Sequence, residues 1–155
     1  MTRQQMVLLA FGGSAGLLLA AFAFQHLGGL APCSLCIWQR WPHVAALGAG
    51  AGALAFGSAL WPLAGATTMG ASAGLAGYHT GVERGWWPGP SACAGDAGAL
   101  SGMSGADLLS TDGPAGVVLC DEVAWEMMGL SMASWNGLAS LALGAVWLAA
   151  ALKRR

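Results

Sequence analysis

Three stretches of this chain run without formal charge for longer than a water-facing protein tolerates. Between Met6 and Gln39 the only ionisable groups are His26 and two cysteines. Between Trp41 and Val82 they are His43, Tyr78 and His79, and between Met127 and Leu152 there are none. Only 8% of the 155 residues are charged and mean hydropathy is +0.61, against about 25% charged in an ordinary soluble domain. So few charges cannot solvate a surface, so the chain is expected in lipid. A membrane-spanning helix takes about 20 mostly apolar residues. The first and last stretches each fit one span. The middle stretch fits two, with Trp61-Pro62 near its centre suited to a tight turn.

The expected fold is therefore all-α: one integral membrane domain, a four-helix bundle with helices at about 6–27, 41–60, 63–81 and 135–152. Helices suit lipid because each satisfies its own backbone hydrogen bonds. Small residues recur every four positions (Gly12, Gly16 and Ala20; Gly48 and Gly52; Gly70 and Gly74), a spacing that lets helices approach closely. Trp38, Trp41, Trp61, Trp135 and Trp147 fall near span ends, where amphipathic rings prefer to sit. Arg3 precedes the first span, and Lys153, Arg154 and Arg155 follow the last, which places both termini in the cytoplasm. The connections at about 28–40 and 82–134 then face outward. The longer one carries Asp96, Asp107, Asp112, Asp121, Glu122 and Glu126 against Arg84. It is the segment fitted to meet a soluble partner, and no nucleic-acid partner is expected. Arg3, the apolar run and Ala21-Phe22-Ala23 resemble a cleavable signal peptide, but the run is long for a signal core and the helix is expected to be retained.

All four cysteines, Cys33, Cys36, Cys93 and Cys120, fall in the two outer connections. In bacteria that side is oxidising and disulfides persist there. Cys33 and Cys36 pair either with each other or with the distant two. A CxxC disulfide closes a very short loop and adds little stability; its usual value is redox chemistry. Pairing Cys93 with Cys120 would restrain a Gly- and Ser-rich segment. A zinc site would call for a second knuckle, which is missing, so no metal is expected. Haem would require two facing histidines among His26, His43 and His79. Arg40 stands one helical turn after Cys36. Snorkelling to the interface explains such a residue, yet a cation there also favours a cysteine thiolate. It also suits the carbonyl oxygen of an oxidant dissolved in lipid. Thiolate, cation and lipid together suggest electron transfer to a hydrophobic acceptor such as a quinone.

At these residues the chain resembles a known family. "FQHLGGLAPCSLCIWQR" is similar to the first outer loop of the DsbB family, quinone-dependent disulfide-forming proteins of the bacterial inner membrane. Pro32, Cys33, Leu35, Cys36 and Arg40 match its pattern. "YHTGVERGWWPGPSAC" resembles the segment leading to the third cysteine, with His79 and Thr80 aligned. "CDEVAWEMMGLSMASW" resembles the passage from the fourth cysteine into the last helix, through Cys120, Trp125, Gly129, Leu130, Met132 and Trp135. Ala133 replaces a frequent proline, and Gln39 stands where an acidic residue can precede the arginine.

The resemblance implies a mechanism. A reduced periplasmic thioredoxin-fold partner, DsbA-like, attacks a Cys93–Cys120 disulfide at Cys93. Cys120 then attacks Cys33 and displaces Cys36 as a thiolate beside ubiquinone or menaquinone. Arg40 and His79 are the implied quinone-binding residues. A short interfacial helix is implied between Cys93 and Cys120, with apolar groups around Asp107–Leu109 and Val117–Leu119. Two alternatives stand beside this reading: a paralogue that oxidises a dedicated substrate, and a structural membrane protein whose outer loop is stapled by disulfides. A vitamin K epoxide reductase-like enzyme fits less well, because its CxxC lies at the end of a late helix.

Overall fold

A computed structural model describes residues 1–90 and 119–153 of the chain. Helix α1 spans Arg3–His26 and opens on a capping box. The Thr2 hydroxyl accepts from the Gln5 amide at 3.2 Å, and the Gln5 side chain accepts from the Thr2 amide at 2.7 Å, so two amides of the first turn find partners. The short helix α2 (Ser34–Trp38) runs almost directly into α3 (Arg40–Phe56), with Gln39 between them. Helix α4 spans Leu60–Glu83. Beyond residue 119, strands β1 (Glu126–Met127) and β2 (Leu130–Ser131) form a small antiparallel ribbon. Met128 and Gly129 turn it with positive φ at both positions, 56° and 76°, the backbone a two-residue hairpin requires. The ribbon feeds α5 (Met132–Leu152), capped by the Ser131 hydroxyl on the Ser134 amide at 3.2 Å.

The described chain is thus almost entirely helical, as composition implied. Helix α1 packs against α3 and α5, and α4 packs against the same two. The main core gathers Val7, Ala10, Ala46, Ala53, Met69, Trp147 and Ala150. Its alanines let the helix backbones come close, and one large ring, Trp147, fills the space between them. A smaller cluster of Cys33, Leu35, Val82 and Cys120 lies apart from it. Arg3 donates to the Ser58 carbonyl in the α3–α4 turn at 2.6 Å, and Lys153 donates to the Met1 carbonyl. Met1, Lys153 and that turn therefore share one end, and Cys33, Cys36 and Cys120 share the other.

Helices α1 and α5 are long and apolar enough to cross a membrane by length and composition. Only 22% and 17% of their most apolar windows are buried, so neither is the core helix of a soluble protein. They turn Leu8, Leu9, Leu19, Leu138, Leu141 and Leu148 outward instead. Helix α3, at 17 residues, and α4, diluted by Gly, Ser and Thr, do not reach the same length and apolarity together.

Several expectations are corrected. The α3–α4 turn lies at Gly57–Ala59, with Gly57 left-handed at φ 63°. Trp61-Pro62 sits inside the first turn of α4, where a proline loses no hydrogen bond because that amide has no helical partner. The connection at 28–40 contains α2, and 82–134 contains the β1–β2 ribbon; neither was expected. Trp147 is fully buried in the core rather than at an interface. Of the four-residue glycine series, a Cβ added at Gly12, Gly16, Gly48, Gly70 or Gly74 would meet no neighbour within 4 Å, and only one at Gly52 would meet a bulky side chain, Trp61. The tight contacts fall elsewhere, as at Gly65, where an added Cβ would lie 2.5 Å from the Trp147 ring. Periodicity marks a helix face but not which face meets a partner. The region around 107–109, residues 117–118 and the two terminal arginines lie outside the described residues.

Gly65→Val should lower thermal stability in detergent by about 1–3 kcal/mol, because a fully buried indole cannot yield. Gly70→Ala, which adds a methyl into open space, should leave stability unchanged or slightly raised. Equal melting midpoints for the two variants would show that Trp147 does not close on Gly65.

Candidate active site

Helix α2 is built around the CxxC. Cys33 is its N-cap residue, extended at φ −74° and ψ 171°, and its sulfur accepts the Cys36 amide at 3.2 Å. Three residues across an N-cap return the chain to the same side of the first turn, so the two Sγ atoms lie 2.9 Å apart as free thiols. Cys33 is buried and Cys36 half-buried. Helix α4 brings His79, whose Nε2 is 3.6 Å from the Cys33 sulfur and 3.9 Å from Glu83 Oε1. Glu83 in turn accepts from the Ser131 hydroxyl.

The two cysteines divide one charge. The Cys36 thiol, then His79 and the Cys36 amide, hydrogen-bond the Cys33 sulfur and bring its pKa down to about 4 against the opposing effect of burial. Cys36 moves the other way: it gives its hydrogen bond to Cys33, is buried, and faces the charge on Cys33, so its thiol is held protonated. Cys33, not Cys36, carries the thiolate of this dithiol. The leaving thiolate expected at Cys36 belongs to the exchange step and not to this dithiol. The Arg40 guanidinium donates to Gln25 Oε1 at 2.7 Å and lies 5.1 Å above the Phe22 ring. Both partners belong to α1, which holds the arginine at the site without neutralising it.

Cys120 is disulfide-bonded and fully buried. Its sulfur, the Cys33 sulfur and a ring nitrogen of His79 all lie within 4.8 Å of one another. A disulfide sulfur is a poor metal ligand, so this closeness speaks for sulfur exchange rather than for a metal centre. Cys93 lies outside the described residues.

Behind His79 a line of polar groups enters the helices. Gln39 Nε2 meets His79 Nδ1 at 2.7 Å, and Asn136 Nδ2 donates to Gln39 Oε1 at 2.7 Å. Asn136 Oδ1 is 3.0 Å from His43 Nε2, which is 3.2 Å from the Ser72 hydroxyl, itself accepting from Ser140 at 2.9 Å. Sequence reasoning noted Gln39 only as a departure, weighed His43 only for haem, and missed Asn136, Glu83 and Gln25. The available signal was a side-chain amide, Asn136, in an otherwise apolar helix, which has to find polar partners.

A cavity of about 350 Å³ opens on this group, a volume within the range of small-ligand sites. Leu17, Leu18, Phe24, Trp125 and Met132 form apolar walls, and Cys36, Arg40, Gln39, His43 and Asn136 supply polar points. Of the six sequence-derived site residues, Cys33, Cys36, Arg40 and His79 line this one cavity, and Cys120 adjoins it through Cys33.

The sequence as a whole is similar to known proteins. Residues 3–150 match the family model for the disulfide bond formation protein DsbB. The chain is 30% identical to a disulfide bond formation protein B of Dechloromonas aromatica over 136 residues, covering 81% of this chain and 78% of the relative. It is also 30% identical to a protein of the same name from Stutzerimonas stutzeri over 159 aligned positions, covering 97% and 96%. No solved structure matches.

In the reduced CxxC form, iodoacetamide should modify Cys33 at a rate that falls only as pH drops through about 4, because the thiolate is lost below its folded pKa. An ordinary thiol, with pKa about 8.5, has lost nearly all its rate by about pH 6. Cys36 should lag behind. A Cys33 rate still climbing between about pH 8 and 9 would show that it titrates as an ordinary thiol.

Proposed function

The chain belongs to the DsbB family of disulfide bond formation proteins, and on that footing we propose that it reoxidises a periplasmic thioredoxin-fold protein and passes the electrons to a membrane quinone. The outward apolar faces of α1 and α5 support a membrane protein. A four-helix bundle follows if α3 and α4 cross with them. The basic residues Arg3 and Lys153 at the end opposite Cys33, Cys36 and Cys120 support cytoplasmic termini and a redox site at the periplasmic face of the bacterial inner membrane.

The single observation that carries the reading is the closeness of Cys33 to Cys120, within 4.8 Å. It lets two cysteine pairs exchange without a large movement. The reduced partner's thiolate attacks Cys93 of a Cys93–Cys120 disulfide and releases Cys120 as a thiolate. When Cys33 and Cys36 are joined, Cys120 attacks the Cys33 sulfur; the Cys33–Cys120 bond forms, the Cys33–Cys36 bond breaks and Cys36 leaves with the electron pair. The partner's second thiol then attacks the mixed disulfide on Cys93, so the partner leaves oxidised. Cys36 is held protonated in the dithiol chiefly because it hydrogen-bonds the Cys33 sulfur. Once Cys33 is tied to Cys120 that cause disappears, and Cys36 becomes a better leaving group in the cavity it shares with Arg40.

The cavity fits a quinone head: flat apolar walls for a ring, and a guanidinium with two side-chain amides for its oxygens. Arg40, Gln39 and Asn136 would hold it, with His79 behind Cys33. A bound quinone supplies a two-electron acceptor for the sulfur left at Cys36. The residues' own part is to keep Cys36 at the cavity wall, orient the acceptor with Arg40, and exclude water with Leu17, Phe24 and Trp125.

Purified protein mixed with a reduced thioredoxin-fold oxidant should oxidise it through many turnovers with quinone and stop within about two equivalents, one per disulfide, once quinone is removed. Arg40→Ala should raise the quinone KM at least about tenfold, equivalent to about 1.4 kcal/mol, while the KM for the oxidant stays unchanged. Turnover undiminished without quinone would defeat the reading, and an unchanged quinone KM in Arg40→Ala would remove that residue from the acceptor site.

A further inference from the structure

We propose that Asn136 and His43, acting through Gln39, hold His79 in the one tautomer that donates a hydrogen bond to the Cys33 sulfur. They are positioning residues for the redox pair, although neither hydrogen-bonds a cysteine.

Hydrogen-bond polarity fixes the tautomer. Asn136 Nδ2 donates to Gln39 Oε1 at 2.7 Å, which leaves Gln39 Nε2 facing His79 Nδ1 at 2.7 Å. An amide nitrogen only donates. Nδ1 must therefore be bare, and the proton of neutral His79 sits on Nε2, the atom that faces Cys33 at 3.6 Å. At the other end Asn136 Oδ1 only accepts, so the His43 proton sits on its Nε2, at 3.0 Å. Four successive donors, on His43, Asn136, Gln39 and His79, all point towards Cys33. Gln39, His43 and His79 are 6%, 3% and 3% exposed and Asn136 is half-buried at the cavity wall, so water competes little for the buried partners and the line acts as a unit.

Remove either outer member and the direction is lost. Without Asn136 nothing donates to Gln39 Oε1, and the Gln39 amide is free to turn over and offer that oxygen to His79 Nδ1. His79 then carries its proton on Nδ1 and turns a lone pair towards Cys33, which repels a thiolate. Without His43, Asn136 loses the donor that fixes its own orientation, with the same result one step later. The other ionisable groups facing Cys33 are Cys36 from α2, Glu83 from α4 and Cys120 before the ribbon, with Arg40 and Glu122 at the same cavity. Helices α1 and α5 contribute no titratable group to it.

The inference rests on Cys33 belonging to the redox pair but not on the acceptor, and its test contains no quinone. In full-length protein with Cys36, Cys93 and Cys120 changed to Ser, Cys33 is the single thiol, and its alkylation rate against pH gives the thiolate midpoint. Asn136→Leu and His43→Leu should each raise that midpoint by roughly one pH unit, a slowing of about tenfold on its acid side. His43→Gln, whose amide can donate to Asn136, should restore it. In a His79→Ala background Asn136→Leu should add nothing further, because the two act in series. A midpoint unmoved by both leucine variants overturns the proposal, as does an equal shift when His79 is absent. If Asn136→Leu fails to keep its helical circular dichroism, the contrast between His43→Leu and His43→Gln decides the matter. The readout is the titration of one thiol with no acceptor present, so failure here and failure of the electron-transfer reading are separable.

Discussion

The Cys33 sulfur is the point on which the site turns. It caps α2 through the Cys36 amide, accepts from the Cys36 thiol and from His79, and lies within reach of Cys120. One atom thus closes a helix, holds a negative charge and faces Cys120. The cap and the charge reinforce each other, because a thiolate is a stronger acceptor for an N-terminal amide than a thiol is. The same donors that make Cys33 a stable thiolate make it a competent partner in exchange, where rate depends on which sulfur carries charge and which one leaves.

The helices serve that atom at two scales. Alanine and glycine faces bring α1, α3, α4 and α5 close enough to enclose a cavity at the cysteine end while Trp147 seals the other. The α2–α3 junction places Gln39 and Arg40 side by side yet sends them to different tasks. Gln39 turns inward to His79 and Asn136, and Arg40 turns to Gln25 and Phe22 on α1. An acidic residue at position 39 would bring a second carboxylate near Glu83. Glutamine keeps the link neutral and, with Asn136, gives it direction.

Much of this was legible in the chain, and the limits are physical. Charge-free stretches located the long helices because lipid leaves little choice of structure, and the positions of Cys33, Cys36 and Arg40 located the cavity. The α3–α4 turn was misplaced because Trp61-Pro62 reads as a breaker, although proline is equally at home in a helix's first turn. The ribbon was missed because Met128 takes a left-handed backbone that its side chain does not advertise. Which of two neighbouring sulfurs is the anion of the reduced pair depends first on the Cys36 thiol and then on His79 of α4, forty-six residues away, and no local pattern carries the second part. The relay escaped for the same reason: its members come from α2–α3, α4 and α5, and each is unremarkable alone.

Whether charge and electrons pass between the two cysteine pairs through Cys33 can be read directly by trapping. In a Cys36→Ala variant Cys33 keeps its place beside Cys120 but has lost its own partner. Peptide mapping after rapid alkylation should then find Cys33 joined to Cys120 and Cys93 alkylated. A variant in which Cys33 is alkylated in full while Cys93 and Cys120 stay joined would contradict the account.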